Sequence, residues 1–253
     1  MSLKSEEDLI GMQQISQIVG STLNRMQQYA RPGMSTLDLD QYGRQLLEQH
    51  GARSAPKLTY NFPGWTCISL NEEVCHGIPS AKRILQEGDL INIDVSAELN
   101  GYWSDNGGSF VLGQDVHQRS DLVEASKRIL AKAISHIRGG VLLADIGRLI
   151  ETEAKRSGYR VIKNLAGHGI GRSLHEEPHD ILCYYDRSIK TRFRKNSVVA
   201  IETFLSTNAT YAHEKGDGWT LIAKNSVAVQ HEHTIVVTDK QPIILTAANQ
   251  LWD

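Results

Sequence analysis

Apolar residues near the start of the chain recur at steps of three and four: Leu9, Met12, Ile15, Val19, Leu23 and Met26. That spacing puts one apolar stripe on a long helix, which the breaker Arg31-Pro32-Gly33 ends. Ser35 or Thr36 can cap a second helix through Gln49, with Leu39, Tyr42 and Leu46 on one face and Gly51 as the stop. Residues 121–158 repeat the order: a helix through Ile137, the turn Arg138-Gly139-Gly140, then a helix through Arg156 ending at Gly158. Arg31 and Arg138, Gly33 and Gly140, Asp38 and Asp145, and Gly51 and Gly158 are each separated by 107 positions.

The duplication continues into β-type patterns. His76-Gly-Ile-Pro79 is echoed by His175-Glu-Glu-Pro178, 99 positions on, and each leads toward a strand. The runs DLINIDVSA (89–97) and SVVAIETFL (197–205) are rich in β-branched residues, and each carries one acid inside its apolar stretch, Asp94 and Glu202, 108 positions apart. A second strand in each half adds Asp105 and Glu232. With no linker between them, halves of about 5–119 and 120–253 read as one catalytic domain spanning 1–253, related by a pseudo-twofold axis. The class expected is α/β in the α+β sense, a largely antiparallel sheet covered by helices, with Leu99-Asn100-Gly101 as a hairpin signal. Gly167-His168-Gly169-Ile170-Gly171 lacks the order and the strand-to-helix context of a dinucleotide loop.

An ionised carboxylate inside an apolar strand is costly unless something cationic compensates. Singly, Asp94 and Glu202 could each face solvent, but four acids in corresponding strands make a shared cleft the better reading. These strands offer no Lys or Arg to balance them, which points to two divalent cations. Oxygen-rich ligation with one imidazole favours Mn, Fe, Co or Zn, and a metal pair suits amide hydrolysis by an activated bridging water. His168, between glycines, is the best imidazole candidate. His231 and His233 flank Glu232 but point to the opposite strand face, which excludes them. His50, His117 and His136 read as surface or core residues.

Composition narrows the partners. At 253 residues, 40% hydrophobic and 22% charged, the chain can bury a core without disulfides or structural metal, so any metal should serve chemistry. A net charge of −2, without basic clusters, gives no footprint for nucleic acid or an anionic membrane. No apolar run is long enough to span a bilayer, and the acidic start MSLKSEEDLIGMQQ is unlike a signal peptide. Three cysteines without a CxxC pair suit a reducing cytoplasm.

CISLNEEVCHGIP, INIDVSAELNGYWSD, GHGIGRSLHEEP, and DGWT followed by HEHTIVVTD resemble type I methionine aminopeptidases along nearly the whole chain. The resemblance implies the pita-bread fold and removal of the initiator methionine from nascent polypeptides when the second residue is small. It implies that Asp94 chelates one metal, that Asp105 and Glu232 bridge both, and that His168 and Glu202 bind the second. Glu202 would move the proton of the bridging water, while His76 and His175 would hydrogen-bond the substrate amide and the developing tetrahedral centre. Tyr60, Phe62, Cys67 and Trp219 would line the methionine pocket, against the alternative that they are ordinary core. A monomer is expected, and ribosome contact is left open.

Three positions depart from the family pattern. Thr203 follows Glu202 where proline is usual, Asn106 follows Asp105 where threonine is common, and Leu174 precedes His175 where some members have phenylalanine. A prolidase or proline-specific aminopeptidase is the nearest alternative, but those relatives carry an extra N-terminal domain. Type II methionine aminopeptidases carry a helical insertion for which the passage from Glu202 to Glu232 has no room. A binding module with a dead site should have lost ligands.

Overall fold

A computed structural model of the chain describes residues 2–252. Helix α1 (Glu6–Tyr29) starts where Ser5 Oγ accepts from the Asp8 N–H at 3.1 Å, with three acids at the positive end of the helix dipole. Helix α2 (Thr36–Gln49) is capped by Ser35, which exchanges hydrogen bonds with Asp38 in a capping box. Short β1 (Arg53–Ser54) and α3 (Ala55–Tyr60) lead to β2 (Cys67–Leu70) and β3 (Glu73–Cys75). The hairpin of β4 (Leu90–Leu99) and β5 (Tyr102–Val111) turns at Asn100-Gly101, with φ of 52° and 80°, the left-handed pair that a two-residue hairpin loop requires.

The second half opens with α4 (Ser120–Ser135) and α5 (Leu143–Arg156). Helix α4 ends short of Ile137 because the N–H groups of His136 and Ile137 bond three residues back, to Ala133 and Ile134, tightening the last turn. Strands β6 (Arg160–Val161), β7 (Ala166–Gly169), β8 (Glu176–Leu182) and β9 (Val198–Ser206) follow. Then come β10 (His213–Glu214), β11 (Leu221–Ile222), β12 (Ala228–Val236) and β13 (Ile243–Ile244). The second His-x-x-Pro leads straight into a strand, with His175 just before β8 and Pro178 within it.

All the pairings between these strands are antiparallel. In the first half, β4 has β5 along one edge and β1 and β2 in tandem along the other. In the second half, β9 has β12 along one edge and β6 and β7 in tandem along the other. The helix turns repeat as closely: the Gly33 N–H bonds Leu85 O at 2.9 Å and the Gly140 N–H bonds Phe193 O at 2.8 Å. Both glycines have positive φ, 87° and 91°, which other residues rarely adopt.

Alternation sorts the faces. Ile91, Ile93 and Val95 of β4 pack with Met12, Ile15, Val19 and Leu23 of α1, whereas Asn92, Asp94 and Ser96 point the other way. In the second half, Val199 and Ile201 of β9 join Ile129, Leu130 and Ile150 from α4 and α5. Each such side chain contributes about 1.5–3 kcal/mol when fully buried. The half-sheets meet where β5 and β12 run side by side, Asp105 against Thr234 and Ser109 against Gln230.

Candidate active site and metal centre

All eleven residues singled out from the sequence line one cavity of about 780 Å³. β4 and β5 contribute Asp94 and Asp105, β9 and β12 contribute Glu202 and Glu232, and His168 comes from β7. One donor atom each from Asp105, His168 and Glu232 lie within 4.8 Å of one another, and His168 Nε2 is 3.9 Å from Asp105 Oδ2. The acids are not strict repeat counterparts. Glu202 pairs directly with Glu232, whereas Asp94 pairs with Gly107 and Asp105 faces Ser96. A two-residue shift preserves the face of a strand, so Asp105 still points into the cavity.

Burial dominates the electrostatics. It raises the pKa of Asp94 to about 6, partly offset by a hydrogen bond with Asp105. Desolvation pushes Asp105, Glu202 and Glu232 well above the usual carboxylate range, and their mutual repulsion, with that of Asp94, pushes them further. Burial lowers His168 to about 3, and nearby His175 adds to the effect. His168 Nδ1 lies 3.0 Å from Gly169 O, so it donates there and leaves the Nε2 lone pair for a cation. Asp105 Oδ1 and Glu232 Oε1 are buried without a hydrogen-bond partner. Unpaired carboxylate oxygens beside an imidazole lone pair, with no Lys or Arg in an ion pair with these acids among the described residues, fit divalent cations.

The remaining candidates surround this cluster. The His175 ring centroid is 4.2 Å from that of His168, and Tyr60 Oη lies 2.6 Å from His175 Nδ1. His76 ends β3 in the left-handed region, with φ of 56°. Phe62, 2% exposed, meets Trp219 edge-on at 5.1 Å between ring centroids. Buried Cys67 is opposite Asp94 in register. Trp219 reaches the first half because β11 pairs with β3 and Lys215 Nζ bonds Glu73 Oε1 at 2.8 Å.

The excluded histidines have other partners: His231 contacts Ser126 and Ser109, and His233 contacts Thr246 and stacks near Trp252. His50, His117 and His136 are exposed. Thr203 lies on the face away from Glu202, its Oγ1 2.9 Å from Ser126 Oγ of α4, and Asn106 donates to Val95 O at 3.0 Å. Leu174 is buried in the cavity wall. Gln230, missed from the sequence, donates to both Glu202 and Glu232. Its alternation with Glu232 along β12 was the available signal.

The site is therefore a carboxylate and imidazole centre of the metallopeptidase kind, and the chain belongs to metallopeptidase family M24, whose model matches residues 11–239. It is 47% identical over 247 residues to methionine aminopeptidase 2 of Bacillus subtilis (strain 168), covering 97% of this chain and 99% of that protein. A methionine aminopeptidase from Thermotoga maritima superposes with a TM-score of 0.92 at 30% identity, covering 97% of this chain and 99% of that one. A prolidase from Pyrococcus horikoshii shares the fold, with a TM-score of 0.75 at 22% identity, but only 63% of its chain is covered. The fold is the pita-bread fold of these relatives.

Proposed function

We propose that this chain, acting as one catalytic unit built from both halves, is a methionyl aminopeptidase that releases N-terminal methionine from nascent polypeptides. The observation that carries the reading is the cavity itself, which joins the acid and imidazole cluster to a wall of Tyr60, Phe62, Cys67 and Trp219. Aromatic and sulfur groups favour a thioether side chain. Relatives named methionine aminopeptidase along their whole length support the same substrate. The restriction to a small second residue rests on the family resemblance.

Asp94, Asp105, His168, Glu202 and Glu232 would hold two divalent cations, with Mn, Fe, Co and Zn all compatible with the donor set. When bound, such a pair supplies an acidified water and polarises the scissile carbonyl. Glu202 Oε2 accepts from Gln230 Nε2 at 3.3 Å, which leaves Oε1 to take a proton from the attacking water and pass it to the leaving amine. Burial lowers the pKa of both His76 and His175, so each ring is neutral near pH 7. Tyr60 Oη lies 2.6 Å from His175 Nδ1, and a hydroxyl donating there would place the ring proton on Nε2, from which His175 would donate to the carbonyl oxygen as charge develops. His76 orients the substrate amide from the other side. Phe62 and Trp219 exclude water from the side-chain pocket.

The free, buried cysteines Cys67, Cys75 and Cys183 support a cytoplasmic setting. Among the described residues, no helix is long and apolar enough to cross a membrane. Action as a monomer without specific nucleic acid is part of the same reading, with ribosome contact left open. The test is hydrolysis of Met-Ala-Ser and Ala-Pro peptides with and without added Mn, Fe, Co or Zn. Metal-dependent release of methionine is expected, whereas preferential cleavage beside proline would replace this reading with a prolidase.

A further inference from the structure

Gln230 is fully buried on the same face of β12 as Glu232. Its Nε2 lies 2.9 Å from Glu232 Oε2 and 3.3 Å from Glu202 Oε2. An amide can be turned over, so its direction needs a second partner to fix it. Asn92 provides one, its Nδ2 donating to Gln230 Oε1 at 2.8 Å. With that oxygen occupied, the NH₂ group must face the two acids. Asn92 itself is held by Ser109 Oγ and by the Gln230 carbonyl, both at 3.2 Å.

Gly107 supplies the space. It sits opposite Asp94 in the β4–β5 ladder, and a Cβ built on it would overlap the Gln230 amide. The position that pairs with the central acid is a carboxylate in the second half, Glu232, and a bare backbone in the first. Two strands of the first half thus admit and orient a side chain that grips two acids of the second.

We propose that Gln230 is a positioning residue of the metal centre: its amide, oriented by Asn92 and admitted by Gly107, holds one oxygen each of Glu202 and Glu232 and so fixes how the two acids face the cation site. This rests on the metallopeptidase reading of the cavity. Fixing one oxygen removes torsional freedom from a carboxylate before any ligand arrives. The buried, unpaired Glu232 Oε1 is the oxygen such a grip leaves available.

The test is calorimetric titration of Mn²⁺ into the chelator-treated full chain, paired with steady-state kinetics on Met-Ala-Ser. Gln230→Met keeps the length and removes the amide. Mn²⁺ affinity should fall by about 10- to 100-fold, the usual cost of losing a hydrogen-bond partner of a metal ligand. At saturating metal kcat should fall while KM changes by less than about twofold, since the substrate pocket is untouched. Gly107→Ala should reproduce the affinity loss with Gln230 chemically intact, and should add nothing in the double variant. If Gln230→Met does not fold, Asn92→Ala, which frees the amide to turn over, carries the same expectation. Unchanged Mn²⁺ affinity in a folded Gln230→Met protein, or additive losses in the double variant, overturns the proposal. A parent protein that binds Mn²⁺ but leaves Met-Ala-Ser intact overturns the peptidase reading, and the titrations still decide the role of Gln230.

Discussion

The two halves share a plan and divide the labour unequally. Both set a helix pair over a strand that brings one acid to the cavity, β4 with Asp94 and β9 with Glu202. The first half contributes two short carboxylates, and the second contributes two longer ones and an imidazole. At the place of His168 in β7, the first half has Ser69 in β2, whose Oγ accepts from the Gly77 N–H at 3.1 Å and serves the local turn. The helix ends differ as well. Ser35 and Asp38 form a capping box on α2, but the counterpart of Ser35 in α5 is Leu142, and that helix start has no side-chain cap. A duplicated scaffold keeps its backbone turns, while the side chains that made the copies equal are free to diverge.

The largest effect should come from removing either acid proposed to bridge the cations, one on each side of the pseudo-axis. Asp105→Ala and Glu232→Ala should each abolish turnover and weaken metal binding, measured by metal content and peptide hydrolysis, because each would leave the proposed cation pair under-neutralised. His175→Ala should keep its metal and lower kcat by roughly 10² to 10³, as for loss of an oxyanion donor. Near-normal hydrolysis by Asp105→Ala would overturn the two-cation reading and the place of Asp105 in it.

A smaller effect separates the halves by pH. In chelator-treated protein Asp94 titrates at about 6, above its ordinary 3.8, so the folded state holds the proton more tightly than the unfolded state. That contribution to stability is complete below about pH 4 and is lost as pH rises through about 6. Melting temperature measured across this window should therefore fall more steeply in the parent than in Asp94→Asn. Equal slopes would mean that the first-half acid is already charged without metal.

The smallest effect tests the caps. Asp38→Ala should cost about 1 kcal/mol through the lost capping box, and Asp145→Ala only a few tenths through the helix dipole, both read by denaturant unfolding. Equal losses would mean that α5 has a cap after all.

What could be read from the sequence follows from distance along the chain. The helix stripes, the paired glycine turns and the β4–β5 hairpin are local patterns, and they lie within a few residues of where the sequence puts them. The five proposed ligands were legible because order and local context single them out. The delivery of Trp219 by β10 and β11 was not, because it depends on Leu221 pairing with Cys75 across the halves. Nor was the grip of Gln230, since nothing in β12 alone says that Asn92 lies opposite or that Gly107 leaves room. Even the matching of the acids was overdrawn from sequence, because only the ladders show that Glu232 opposes Glu202 while Gly107 opposes Asp94.

The contact between β5 and β12 determines how reproducibly the halves come together. Two apolar sheet edges could slide past one another by a pleat, about 6 to 7 Å, and still bury similar surface. Here the edges are joined by directional bonds: Thr234 Oγ1 to Asp105 O at 2.7 Å, and Ser109 Oγ to Gln230 O at 3.0 Å. A slip of two residues would break both and strand their polar groups in the interior. The hydroxyls thus act as dowels, fixing the register of one half against the other before any cation is bound. The cavity needs that register, because its acids are mounted on two half-sheets.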